Sequence, residues 1–243
     1  EYTEKSPKAI VDEYFENEHV KALMLFLGTF WGVPYDQTGL GMLSLLYWDR
    51  AANYRLCKGG SHTPAQALNK IIHENGGVVL NQVRPQRIII KDGAAVGVEL
   101  PYEEIIEAEK AVISSLAPTQ TFLELVGRDN ITPEFATKID SWQWEKHSLL
   151  GIHLALEEPP DFAAAKLDPE MNKSFMYVLG YETPEDLIND YDAFERGELT
   201  EKVNFYCCFP SVHDPEQAPP GRCVATIHRM APYNLKDGVE KYY

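Results

Sequence analysis

The residues able to do chemistry are spread singly along the chain rather than grouped. His147 and His153 share one face of an alternating apolar segment at 146–156, where an extended backbone separates them by about 20 Å. That distance is too large for two ligands of one metal ion. The spacing therefore predicts no metal site and favours a histidine that lines a cavity. His213 and His228 have no partner that the sequence identifies.

Motifs for nucleophilic, metal-dependent or phosphate chemistry are missing. The chain has no GxSxG, HExxH, P-loop or CxxC pattern. The sequence GLGMLS at 39–44 superficially matches a dinucleotide fingerprint, but no strand precedes it, so we interpret its glycines as a helix start. The cysteines are Cys57, Cys207, Cys208 and Cys223. Their spacing is typical of free thiols in a reducing compartment, and we expect a cytoplasmic protein.

Charge and length exclude some classes of partner. The 243 residues carry 22 Lys and Arg against 37 Asp and Glu, which gives a net charge of −15. This balance argues against nucleic acid and anionic membranes as partners. No apolar run reaches the ~18 residues that cross a bilayer, so we expect no transmembrane segment. The length allows one large domain or two smaller ones.

The stretch at 58–77 predicts a turn followed by a helix. Gly59-Gly60 permits unusual backbone angles in a sharp turn. Thr63 is the expected N-cap, with Pro64 at the first helical position. Asn75-Gly76-Gly77 is expected to end the helix. Its apolar stripe comprises Ala67, Leu68, Ile71 and Ile72.

The stretch at 78–118 predicts a short meander of strands. The first strand begins at 78–80, and a second contains the apolar run at 88–90. Asp92-Gly93 is a hairpin signal, and residues 95–100 return from it. Residues 107–115 change from charged to apolar, which suits a strand that enters a buried sheet and stops before Pro118.

The rest of the chain alternates helices and strands. Helix start signals and apolar periodicity predict helices near Ser6-Pro7, at 20–27, at 39–48, after Thr132-Pro133 and after Thr183-Pro184. Apolar alternation predicts strands at 146–156, 174–180, 203–209 and 223–230. Such a series fits a mixed or antiparallel sheet covered by helices. Six aromatic residues either line an apolar tunnel or pack in a core: Phe26, Phe30, Trp31, Tyr35, Tyr47 and Trp48.

The order of these elements resembles the second half of the flavin-binding domain in phytoene desaturase-like flavoprotein oxidoreductases. Amine oxidases share the arrangement more distantly. The resemblance rests on Gly59-Gly60, Gly76-Gly77, Val83, Asp92-Gly93, Gly97-Val98 and Val112-Ile113-Ser114 leading to Pro118. A second block, HDPEQAPPGR at 213–222, resembles an Asp-Pro…Ala-Pro-Pro-Gly segment of the same family.

The resemblance implies an α/β (α+β) fold with two parts. One is a partial FAD-binding domain of the glutathione reductase-like type. The other is a substrate domain with a mixed or antiparallel sheet covered by helices. The expected divisions are a helical part of the substrate domain at 1–55, the second half of the FAD-binding domain at 56–128 and the substrate-domain sheet and helices at 129–243.

The resemblance also implies site residues. The cofactor would be FAD, with its adenine end against Val83 and against Ser115, Ala117 and Pro118. The substrate-side residues would be Ser61, His62 and Thr63. His62 is a weak candidate for a proton donor or acceptor near neutral pH. On the alternative interpretation, Thr63 only caps the helix and His62 points to solvent.

The function implied is an FAD-dependent oxidoreductase that acts on C–C or C=C bonds of an apolar small molecule. The family's N-terminal GxGxxG segment and its C-terminal glycine-rich flavin segment are not in this sequence. FAD binding is therefore expected to need a missing N-terminal segment or a partner subunit. Two alternatives stay open: an amine oxidase-like enzyme, and a non-catalytic subunit or fragment that depends on a partner chain for FAD.

Overall fold

The computed structural model describes residues 2–242, which form two compact units. The first unit runs up to Ala67 and resumes at Glu145, and the second unit is Leu68–Trp144. These boundaries differ from the predicted divisions after 55 and 128, which concern the roles of the segments and stay predictions. Assigning the units to substrate and FAD remains a prediction.

Seven helices and seven strands are assigned in the described chain. The helices are α1 (Pro7–Tyr14), α2 (Glu18–Thr29), α3 (Gly41–Ala52), α4 (His62–Glu74), α5 (Pro133–Asp140), α6 (Pro184–Glu195) and α7 (Pro210–His213). The strands are β1 (Arg87–Lys91), β2 (Ala94–Glu99), β3 (Ile105–Glu107), β4 (His147–Leu156), β5 (Met176–Leu179), β6 (Phe205–Cys208) and β7 (Cys223–Pro232). The expectation of a mixed α/β fold is confirmed.

The first unit is built on an antiparallel sheet in the order β4-β7-β6-β5. One face carries Tyr206 and Cys208, which pack against Leu25 and Phe26 of α2 and Leu187 of α6. The opposite face carries a second cluster around Cys207, Cys223 and Ala225. Strand β6 is therefore covered on both faces, whereas Leu150, Ile152 and Leu154 of the edge strand β4 are exposed.

Local signals start the helices where the sequence predicts them. The Ser6 hydroxyl accepts from the Ala9 N–H at 3.2 Å, with Pro7 as the first helical residue. Thr132 caps α5 in the same way. Thr183 and Asp186 form a capping box at α6, where Asp186 accepts from the Thr183 N–H at 3.0 Å. Each cap satisfies backbone donors that the first helical turn leaves free.

The second unit is centred on the three-stranded meander β1-β2-β3. Asp92 and Gly93 connect β1 to β2 with positive φ angles of 52° and 77°, so the predicted hairpin is confirmed. Gly97 lies in β2 where a Cβ would come within 2.7 Å of the Ile106 carbonyl oxygen. Only glycine allows the two strands to approach this closely.

Two predicted strands of this unit are absent from the described structure. Residues 78–80 and 108–115 join no β-ladder, and β3 ends at Glu107 instead of continuing through Ser115. Val78 and Ile113 are 76% and 93% exposed. Apolar composition favours an extended chain, but a strand also needs a neighbour for its backbone groups, and neither segment pairs with one.

The predicted start of α4, with Pro64 as the first helical residue, is two residues too late. The helix begins at His62, and Thr63 lies inside its first turn, where its hydroxyl donates to the Lys58 carbonyl at 3.2 Å instead of capping. The predicted apolar stripe exists, but Leu68, Ile71 and Ile72 are all exposed. The predicted end is confirmed, since the Gly77 N–H bonds back to the Ile72 carbonyl at 2.8 Å.

A buried ion pair joins α6 to β7. Asp190 is 1% exposed, and its carboxylate lies 3.5 Å from the Arg229 guanidinium. The same carboxylate accepts from Tyr181 at 3.0 Å, from Asn204 at 3.2 Å and from the Thr200 hydroxyl. Burial, with the neighbouring Asp190 charge, raises the pKa of Tyr181 well above its usual value, so the phenol stays a donor.

We expect Asp190→Ala to lower the free energy of unfolding by about 3–5 kcal/mol, because it leaves Arg229 as an uncompensated buried charge. Urea denaturation at pH 7 measures the change. Asp12→Ala is the matched control, since its partner Lys8 is on the surface and the loss should stay below about 1 kcal/mol. Equal effects of the two substitutions would contradict a structural role for the buried pair.

Candidate functional site

The first unit contains an open cavity of about 750 Å³ between the sheet and helices α2 and α3. Its aromatic wall includes Phe30, Trp31, Tyr47, Tyr54 and Phe175. The rings contact one another, with Phe30 and Trp31 centroids 4.8 Å apart and Tyr54 and Phe175 centroids 4.9 Å apart. The volume is in the range of small-molecule pockets, and an apolar wall of this kind suits an apolar ligand.

The lining of this cavity distinguishes the two roles that were left open for the aromatic residues, a tunnel wall or a core. Phe30, Trp31 and Tyr47 line the cavity. Phe26 instead is 7% exposed and belongs to the core cluster with Leu25. Trp48 packs against that cluster and donates from Nε1 to the Met24 carbonyl at 2.7 Å. Helical spacing alone does not separate these roles, because adjacent residues of one helix, such as Tyr47 and Trp48 of α3, face different surroundings.

A second cavity of about 760 Å³ shares part of this wall. Leu27, Tyr54 and Phe175 line both cavities, so the two are adjoining parts of one groove. His213 lines the second cavity, where its ring lies 5.7 Å from the ring of Phe175. The groove is therefore longer than the first cavity alone.

The two strand histidines have different surroundings. His147 is buried beside Tyr191 of α6, and its Nδ1 lies 3.4 Å from Glu195 outside hydrogen-bond geometry. His153 lines the 750 Å³ cavity, which confirms the expectation that a histidine of this strand faces one. Its ring lies 5.9 Å from that of His228.

The contact between His153 and His228 is a feature that the sequence did not reveal. The β4–β7 register places His228 opposite Gly151 and His153 opposite Thr226, so the two rings are diagonal neighbours on one face. Burial, together with the nearby His153 imidazole, lowers the pKa of His228 below its ordinary value. The pair becomes visible only once the strand register is known.

The Gly59-Gly60 turn is held by Asp214. The Asp214 carboxylate accepts from the Gly59 N–H at 2.7 Å and from the Gln217 side chain at 3.0 Å. Both glycines have positive φ, at 78° and 104°. The hydrogen bonds from Gln217 and Gly59 hold the pKa of Asp214 below its usual value. The structure thus joins the glycine pair to the HDPEQAPPGR block, two of the motifs behind the family resemblance.

The predicted substrate-side residues follow this turn. Ser61 lines the 750 Å³ cavity. His62 is the first residue of α4, and the Thr63 hydroxyl is engaged with the Lys58 carbonyl. The structure therefore brings Ser61 to the cavity and gives Thr63 a structural bond. Binding of substrate by any of the three remains a prediction.

The second unit has a cavity of about 470 Å³ that is lined by one of the predicted cofactor residues, Val83. Val83 and Leu116 both line it, together with Gln82, which has a positive φ of 60°. Ser115, Ala117 and Pro118 flank Leu116 in the chain but are not among the lining residues. A short π-helix, Thr119–Leu125, completes the wall. The two segments of the resemblance therefore meet at one cavity.

Other kinds of site are not found among the described residues. Residues 2–242 contain no group of three or more His, Cys, Asp or Glu side chains placed to hold a metal ion. The four cysteines are unbridged, and Cys207, Cys208 and Cys223 are buried. Within the same part of the chain, no helix has the length and apolar character needed to span a membrane.

The fold is that of a solved oxidoreductase. An oxidoreductase structure from Methanosarcina mazei matches 98% of this chain and 49% of its own with a TM-score of 0.60, at 20% sequence identity. Likeness at this identity establishes the fold alone. No family model matches the chain.

Curated proteins are similar to nearly the whole of this chain. The chain is 32% identical to a limonene dehydrogenase subunit of Castellaniella defragrans, over 98% of this chain and 46% of that protein. It is 24% identical to a 4,4'-diapophytoene desaturase of Methylomonas, over 94% of this chain and 42% of that protein. The chain is a homologue of the phytoene desaturase-like oxidoreductases, as the sequence motifs indicated, and spans about half the length of these relatives.

The lowered pKa of Asp214 predicts how the turn responds to acid. A carboxylate whose pKa is lower in the folded state stabilises the fold above its unfolded pKa of about 3.9, and this stabilisation is lost as the pH falls through the folded pKa. We therefore expect Asp214→Asn to destabilise the protein at pH 7, with a smaller difference from wild type below about pH 4. Urea denaturation between pH 7 and pH 3 measures both.

Asp36→Asn, an exposed position in the same unit, is the matched control and should differ little from wild type at either pH. A destabilisation by Asp214→Asn that stays constant across this range would show that the carboxylate charge is not what holds the turn.

Proposed function

We propose that the chain supplies the substrate domain and part of the flavin site of an FAD-dependent oxidoreductase, phytoene desaturase-like, that acts on C–C or C=C bonds of an apolar small molecule. The observation that carries the proposal is the aromatic cavity of about 750 Å³ on the antiparallel sheet. The chain that forms it is homologous to a limonene dehydrogenase subunit and a diapophytoene desaturase. The coarser conclusion, an oxidoreductase, needs only the homology.

The cavity suits a substrate whose surface is almost entirely apolar. Removing apolar surface from water contributes about 25 cal/mol of favourable free energy per Å² buried. Flat rings such as Trp31 and Tyr54 supply large contact areas with few torsions to freeze. The work of these residues is to bind the substrate, to orient it and to exclude water.

The 470 Å³ cavity fits the adenine end of FAD. Residues 78–85 and 109–115 lie outside the described β-ladders, so their backbone groups are free to bond a base edge or a neighbouring strand. Val83 and the segment of Ser115, Ala117 and Pro118 would hold the adenine. When bound, the flavin would accept the hydrogen removed from the substrate. The residues of this chain would fix the position of the cofactor.

The remaining walls of the flavin site would come from outside this sequence. The exposed Val78 and Ile113 are apolar residues on unpaired extended segments, which is what a further strand would cover. A dinucleotide-binding segment or a partner subunit would provide that strand. The limonene dehydrogenase relative is itself named as one subunit of its enzyme, which supports a multi-chain assembly. We place this enzyme in the cytoplasm, consistent with unbridged cysteines.

The native protein should carry FAD, seen as flavin absorbance and as the released dinucleotide by mass. Leu116→Trp should fill the cavity beside Val83 and weaken FAD binding by about tenfold or more, equivalent to ~1.4 kcal/mol. Leu167→Trp is the matched control, since Leu167 is 90% exposed in the first unit. A colourless native protein would favour the non-catalytic alternative instead.

Blocking the aromatic cavity should affect substrate without affecting flavin. Ala155 lines the cavity from β4, and we expect Ala155→Trp to reduce kcat/KM for limonene by about tenfold or more, measured with a dye as electron acceptor. Flavin content should equal that of wild type. Unchanged kcat/KM in a correctly folded variant would move the substrate site away from this cavity.

A further inference from the structure

Two imidazoles, His153 and His228, lie together in the cavity wall near Gly151. A Cβ on Gly151 would lie 3.1 Å from Nε2 of His228 and 3.8 Å from Nε2 of His153. The two nitrogens therefore converge on the space that this glycine leaves open. Any larger residue at 151 would fill that space and displace the His228 ring, whose Cδ2 would be 2.9 Å away.

The His228 ring is held in place by its neighbours. It stacks on Tyr206, its partner in the β6–β7 register, with centroids 5.0 Å apart and ring planes 24° apart. Its Nδ1 is buried with no hydrogen-bond partner among the described residues. Because Nδ1 is enclosed by protein, Nε2, which borders the space at Gly151, is the nitrogen of this ring that a bound group could use.

The chemistry of the pair indicates which group that is. The lowered pKa of His228 favours its neutral form at neutral pH. A neutral imidazole offers one N–H donor and one acceptor nitrogen, which suits a hydroxyl or carbonyl oxygen better than a carboxylate. Arg50 of α3 also lines the cavity and would be the partner for an anionic group.

We propose that His153 and His228 form a polar subsite that binds an uncharged hydroxyl or carbonyl group of an otherwise apolar substrate. The subsite rests on the proposed function, since it assigns the polar end of the same substrate. The two histidines would then determine specificity. The aromatic wall would bind the apolar surface of the substrate, and the histidine pair would bind its oxygen at one fixed position in the cavity.

Three ligands test the proposal on the native protein: limonene, the same skeleton with a primary alcohol, and the same skeleton with a carboxylate. Isothermal titration calorimetry gives the three dissociation constants. We expect the alcohol to bind about five- to tenfold more tightly than the hydrocarbon, the gain of one hydrogen bond in a partly exposed site. The preference should disappear in His153→Phe and His228→Phe, which keep an aromatic ring.

Two further variants complete the test. His228→Gln retains a side-chain donor and should restore part of the preference, which separates loss of the hydrogen bond from loss of the fold. His73→Phe, on an exposed residue of α4 outside the cavity, should leave the preference unchanged. Circular dichroism confirms that each variant is folded.

The outcomes separate this proposal from the proposed function. If the hydrocarbon binds and the alcohol binds no more tightly, the subsite is wrong while the apolar cavity stands. Tightest binding of the carboxylate would assign the polar end to Arg50 and overturn the role of the histidines. If none of the three ligands binds, the substrate cavity itself is wrong, and the subsite falls with it.

Discussion

The register between β4 and β7 is the constraint on which the sheet and the 750 Å³ cavity of the first unit depend. It pairs every residue of β4 from His147 to Leu156 with a residue of β7, without a bulge. A slip by one residue would move each side chain to the opposite face of the sheet. The register therefore decides at once which side chains enter the core, which line the cavity and which imidazoles meet above Gly151.

The polar contacts of the first unit keep this sheet and its loops in a single arrangement. The buried Asp190–Arg229 pair fixes α6 against β7, and Asp190 has enough donors around it to be satisfied without water. Asp214 fixes the glycine turn that leads to Ser61 by accepting a hydrogen bond from the Gly59 N–H. Both carboxylates fix local geometry through several donors, and removing either would leave those donors without their partner.

Local physics explains which parts of the fold could be predicted from the sequence. The helix caps and the hairpin turn depend on residues within a few positions, so the local sequence identifies them. They are the caps at Ser6, Thr132 and Thr183 and the Asp92-Gly93 hairpin. The predicted strand through 107–115 was wrong because a strand depends on a distant neighbour that local pattern does not supply. The His153–His228 pair was missed for the same reason, since it exists only across a register.

The two units differ in how far they satisfy their own backbone. In the first unit, the four strands pair with one another, and β6 packs against other residues on both of its faces. In the second, only the meander pairs, while extended apolar segments on either side of it remain outside any described ladder. Unpaired apolar segments are prone to association, so the second unit leaves more apolar backbone open to a neighbouring strand than the first unit does. This difference is what the proposed flavin site, completed by residues outside this sequence, requires.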